Sequence, residues 1–73
     1  MTLLMANEVV LAGRRYWIVS EPDAGGWRAK VLEVIDEEGR RTQDLGIQAT
    51  AETRGAADEV ALGRLQRHVR DRH

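Results

Sequence analysis

The chain has 73 residues, no cysteine and a net charge of −1. A chain this short buries only roughly 60% of its unfolded surface, and without cysteine neither disulfides nor thiolate metal sites are there to staple it. A near-neutral balance also excludes long-range steering of a polyanionic or polycationic partner by the molecule as a whole, so any electrostatic recognition has to be local.

Size therefore favours self-association, and a homo-oligomer, most simply a dimer, is expected of a single domain spanning residues 1–73. Residues 1–6 are apolar but short and lack a basic start. They read as neither signal peptide nor membrane span, which leaves a cytoplasmic location by default and no membrane partner. Lys30 is the only lysine. The skew toward arginine reads more economically as genome composition than as selection for bidentate bonding.

In chain order, residues 8–12 (EVVLA) are a first candidate strand, and Gly13-Arg14-Arg15 the turn after it. If 8–12 pairs with the next strand the sheet has four strands, otherwise three. Residues 15–21 (RYWIVSE) are rich in aromatic and β-branched side chains and read as a strand. Residues 21–26 (EPDAGG) read as a loop, with Pro22 ending the strand by removing a donor. Residues 26–36 (GWRAKVLEVID) are the longest strand-like run and the centre of the sheet. Trp27, Ala29 and Val31 alternate with Arg28 and Lys30, so they face the core. Glu33 shares their parity, which is a conflict. A β-bulge near Leu32 that turns Leu32 and Val34 inward is the favoured resolution; the other is that Glu33 lies beyond the helix-covered part of the sheet.

Residues 36–40 (DEEGR) form a hairpin turn with Gly39 in the left-handed region. Residues 42–51 alternate Leu45, Ile47, Ala49 and Ala51 with Asp44, Gly46, Gln48 and Thr50, a half-buried strand in which Gly46 hints at an edge or a bulge. Thr53 is the candidate N-cap. The helix that follows, over 56–72, places Ala57, Val60, Ala61, Leu65 and Val69 on one face, with Leu62 at its border. Gly63 is read as a point of close approach to the sheet. The fold class expected is α+β: an antiparallel β-meander of three to four strands with one C-terminal helix packed on one face.

A meander brings the turns at 13–15 and 39–41 to the same end, and the helix returns toward it. Arg14, Arg15, Arg40, Arg41, Arg67 and Arg70 are thus candidates for a nucleic-acid or anion-binding end. The more economical reading is helix-dipole complementation, with acidic residues at the helix start and arginines at its end. Asp36, Glu37 and Glu38 share the basic end and neutralise part of it.

Chemistry is sparse. Ser20 is the only serine, and no glycine-rich phosphate loop occurs. His68 and His73 are not spaced to share a helix face as metal ligands would. No catalytic residue, metal site or cofactor is expected. Tyr16, Trp17 and Trp27 are the only aromatics, and the two tryptophans suit core or subunit interface better than base stacking. Tyr16 and Trp17 have opposite parity, so one of them faces away from the helix. Tyr16, Trp17 and Leu32 are the interface candidates.

The segment 16–31 (YWIVSEPDAGGWRAKV), through Tyr16, Ile18, Glu21, Asp23, Gly26, Trp27, Ala29 and Val31, resembles the opening hairpin of HicB-like small proteins. Residues 50–65 resemble that family's threonine-led helix, and the β-β-β-α order is similar to double-stranded-RNA-binding domains. The resemblance implies a similar fold and an antitoxin-like or regulatory, partner-binding role. Taken together, the residues favour a non-enzymatic binding or regulatory module acting through protein contacts, with RNA binding through the arginine-rich end as the alternative.

Overall fold

Two Ala-Gly turns set the first three strands. Ala12 and Gly13 have φ of 52° and 76°, and Ala24 and Gly25 have φ of 46° and 83°. Positive φ at both central residues is the type I′ geometry, whose twist matches that of the strands it joins. The computed structural model describes residues 5–71. The first turn joins β1 (Met5–Leu11) to β2 (Arg14–Asp23), and the second joins β2 to β3 (Gly26–Val34). A longer loop over 35–41 leads to β4 (Thr42–Ala51), and the chain ends in α1 (Arg54–Asp71). The strands form one antiparallel sheet in the order β1-β2-β3-β4, and α1 packs against one of its faces.

The first strand is present and the sheet is four-stranded. β1 starts earlier than its apolar run suggests, because pairing of Ala6 with Val19 and Asn7 with Ile18 carries it beyond Glu8. The loop expected over 21–26 shrinks to the Ala24-Gly25 turn. Pro22 does not end β2. Asp23 and Gly26 flank a two-residue turn and form its hydrogen-bonded pair, so Pro22 and Trp27 form a non-hydrogen-bonded one. The donor that Pro22 lacks is not required by β3.

The core lies between sheet and helix. Tyr16, Ile18, Ala29, Val31 and Ala49 from the strands meet Ala57, Ala61 and Leu65 of α1. Four of these eight are alanines, so helix and sheet approach closely, and Tyr16, Leu65, Ile18 and Val31 are the large side chains of the core. α1 starts as expected at Thr53, whose Oγ1 accepts a 3.2 Å bond from the Ala56 N–H. Its first turn holds no acidic residue, so the dipole is complemented only at the far end, by His68 and Arg70.

Two details of the helix reading are corrected. Val60 is 43% exposed, while Leu62 packs against the core. The alanine stripe at 57 and 61 sets the buried face, and Val60 falls to its outer side. Gly63 makes no close approach to the sheet: a Cβ built there meets nothing within 4 Å. Gly63→Ala is therefore expected to stabilise the domain by about 0.5–1 kcal/mol, since glycine carries an entropic cost in a helix interior. Urea unfolding checks it, and a loss of stability would contradict the open surroundings.

The register fault near Leu32 is real, but its extra residues lie in β4. Lys30 pairs with Gln48 and Leu32 with Asp44, so Leu45, Gly46 and Ile47 stand opposite Val31 alone. Gly46 has φ +75°, and its N–H donates 2.9 Å to Asp44 Oδ1. This left-handed residue is what bends the edge strand. Two extra residues keep the alternation of faces, which is why Leu45 and Ile47 still turn toward the core. β3 itself pairs with β2 without a break, so Leu32 and Val34 do not turn toward the helix. Glu33 stays on the helix side, 13% exposed in its side chain, and is held by Arg14 at 2.9 Å.

Candidate functional site

The meander brings the Ala12-Gly13 turn and the 35–41 loop to one end of the sheet, around a groove of about 440 Å³ lined by Arg14, Arg15, Glu33, Ile35 and Asp36 among others. The loop is closed from within. Asp36 Oδ1 accepts from the Arg40 and Arg41 N–H groups at 2.9 and 3.1 Å, and the Ile35 N–H donates to the Arg41 carbonyl at 2.9 Å. Gly39 takes the left-handed φ of +74° expected of it.

Six arginines were candidates for an anion-binding end, and they fall into three groups. Arg14 is paired with Glu33. Arg15 Nε contacts Glu8 at 2.6 Å, and its Nη1 donates to the Glu37 carbonyl at 3.2 Å. These two are already engaged by carboxylates or carbonyls of the chain itself. Arg40 and Arg41 have fixed backbones in the loop, and neither their side chains nor those of Arg67 and Arg70 form ion pairs among the described residues. Arg67 and Arg70 ride on the last third of α1, and no described contact joins them to the hairpin arginines.

The three interface candidates separate by face. Tyr16 is 1% exposed and lies in the core, so the domain's own interior uses it. Trp17 and Leu32 pair across β2 and β3, on the face away from α1, and both are half-buried. Trp17 packs there against Gly39 of the loop. Val19 and Val34 share this face and are buried too, at 7% and 9% exposure. Around this apolar strip stand Glu8, Glu21, Asp23 and Asp44, set against Arg15, Arg28 and Lys30, as the pairing register dictates. Arg28 is paired with Asp23 at 2.8 Å. Trp27 is on the other face, partly buried against the core. The two tryptophans therefore form no common stacking platform.

Some polar contacts carry no signal in the linear chain. Asn7 Nδ2 donates 3.1 Å to Asp58 Oδ2, tying β1 to α1 across 51 residues. Arg64 Nη1 donates to the Gln48 carbonyl on the outer edge of β4. Both follow from register and helix rotation, which hydrophobic periodicity reports only coarsely.

Among the described residues no group of three or more His, Cys, Asp or Glu side chains is arranged to hold a metal, and no helix is long and apolar enough to cross a membrane. The fold and its surfaces define an open-faced α+β domain: one helix, one covered sheet face, and one face with an apolar strip ringed by mixed charge. Comparison with protein-family models, curated proteins and solved structures finds no match to this chain.

Proposed function

We propose that this chain is a small non-enzymatic binding or regulatory module that acts through protein contacts as a homodimer. The Trp17–Leu32 pair carries the reading. An aromatic and an aliphatic side chain sit side by side across two central strands, on the face that the helix leaves open. Interfaces use such anchors, with a polar, charged rim around them. The rim here carries both signs, which suits a protein partner of mixed charge better than a polyanion, while the homodimer follows from the small size of the core. The likeness of residues 16–31 to a HicB-like hairpin gives the module an antitoxin-like or regulatory form within this proposal.

RNA binding at the hairpin end is the second reading, favoured by the side chains of Arg40, Arg41, Arg67 and Arg70, which have no ion-pair partner among the described residues. Against it stand the engagement of Arg14 and Arg15 and the carboxylates Asp36, Glu37 and Glu38 beside them. Fluorescence anisotropy with labelled single- and double-stranded RNA separates the two. The protein-contact reading predicts no saturable binding even at low salt. Micromolar binding that falls steeply with salt overturns it in favour of phosphate contacts.

A further inference from the structure

We infer that β1 is the seam of the dimer, pairing antiparallel with β1 of a second copy to build one continuous eight-stranded sheet. This rests on the homodimer of the reading above and places its seam at a sheet edge, leaving the Trp17–Leu32 face for a further partner. The sheet has two edges, and they are unlike. β4 is obstructed: it carries the Leu45–Ile47 bulge, and the Arg64 side chain already donates to its Gln48 carbonyl. Bulges and covering side chains are how sheet edges are closed to further strands.

Among the described residues β1 has neither device. It is seven residues long, pairs with β2 without a register shift, and contains no proline or lysine. Its one charged residue, Glu8, is answered within the chain by Arg15 at 2.6 Å. Val10 beside it is 62% exposed. With β4 closed, head-to-tail stacking of copies is blocked, and the contact that remains joins β1 to β1 about a two-fold axis, which ends at a dimer.

The hydrogen-bonding pattern sets the register. Leu11 and Arg14 flank a two-residue turn, so Leu11, Val9 and Asn7 bond inward to β2, and Ala6, Glu8 and Val10 point their N–H and C=O groups outward. An axis at Glu8 sets two carboxylates directly opposite each other, an unfavourable pair. An axis at Val9 instead places each Glu8 against the partner's Val10 and the two Val9 side chains against each other. That register forms about four backbone hydrogen bonds. The two-fold is perpendicular to the sheet, so both helices lie on one side. Both Trp17–Leu32 strips lie on the other, roughly 14 Å apart across three strand spacings. The dimer thus offers one partner two copies of the contact face.

Val10→Pro tests this directly. The Val10 N–H points outward, so proline there removes no bond within the monomer, where edge strands tolerate it. Light scattering on the full chain is expected to give twice 8.2 kDa for the wild type and 8.2 kDa for the variant at the same concentration, with dimer affinity lowered about 100-fold. Val10→Glu is the second variant: it suits an exposed position facing Arg15 and sets carboxylates against Glu8 across the seam, so it too is expected to yield monomer. Circular dichroism confirms that each variant is folded. A wild-type dimer that survives in folded Val10→Glu or Val10→Pro overturns the β1 seam and leaves the protein-contact reading standing on another surface. A wild type that is monomeric at all concentrations overturns the seam and the homodimer together.

Discussion

Leu65→Ala is expected to lower stability by about 2–5 kcal/mol, the range for truncating a buried leucine. Leu65 is 0% exposed, and its neighbours in the core include Ala29, Ala49, Ala57 and Ala61. Alanines have no side-chain atoms to swing into the space left behind, so the cavity persists. The core of a chain this small supplies only roughly 3–5 kcal/mol, so the variant loses most of its margin. Urea unfolding followed by far-UV circular dichroism measures it, at one fixed protein concentration because the proposed dimer would make stability depend on concentration. The companion is Val60→Ala, expected to change stability by less than about 0.5 kcal/mol at an exposed position. If the two losses are equal, or reversed, α1 is rotated from the orientation described, and the alanine stripe is not its buried face.

Gly26→Ala is the second large effect, expected to cost about 1–3 kcal/mol through overpacking. A Cβ on Gly26 would lie 2.5 Å from the Ala51 carbonyl oxygen, with the Ala51 carbonyl carbon at 3.4 Å. These are backbone atoms in β4, so relief requires the β3–β4 pair to part near Trp27 and Ala51. The contrast with Gly63→Ala is the useful control. The same chemical change is stabilising on the open side of α1 and destabilising at the sheet end. An unchanged midpoint for Gly26→Ala would mean that the two strands have more room there than the close approach allows. Trp27, at the affected end, offers a fluorescence signal local to the strain.

What the linear chain revealed depended on how strongly each element repeats. β4 was legible to its ends because Leu45, Ile47, Ala49 and Ala51 alternate with Asp44, Gly46, Gln48 and Thr50 after the polar start at 42–43. The Thr53 cap and the Gly39 turn were legible because each is a local chemical requirement. The start of β1 was not, since Ala6 and Asn7 have low strand propensity and are held by their partners in β2. Parity showed that Tyr16 and Trp17 face opposite ways. It did not show which of them faces the helix, because both sides of the sheet bury apolar residues. The conflict at Glu33 pointed to a genuine fault, but the extra residues belong to the neighbouring strand. A single strand's pattern cannot say which partner absorbs the slip.

The candidate site was less legible than the fold. Arginines adjacent in sequence at the hairpin end suggested a shared basic surface. In the folded chain Arg14 meets Glu33, 19 residues away, and Arg15 meets Glu8. Such pairs require the register of three strands before they can be drawn. The unlike edges of the sheet were hidden for the same reason. Arg64 reaches β4 only because α1 crosses back over it, and β1 is left as the regular edge only once β4 is seen to be closed.

The central claim is that the chain works through protein contacts as a dimer, and its mass in solution tests this most directly. Size-exclusion chromatography with multi-angle light scattering, run from micromolar to millimolar protein, is predicted to show a single species at twice 8.2 kDa over most of that range. A mass of 8.2 kDa at every concentration would contradict it.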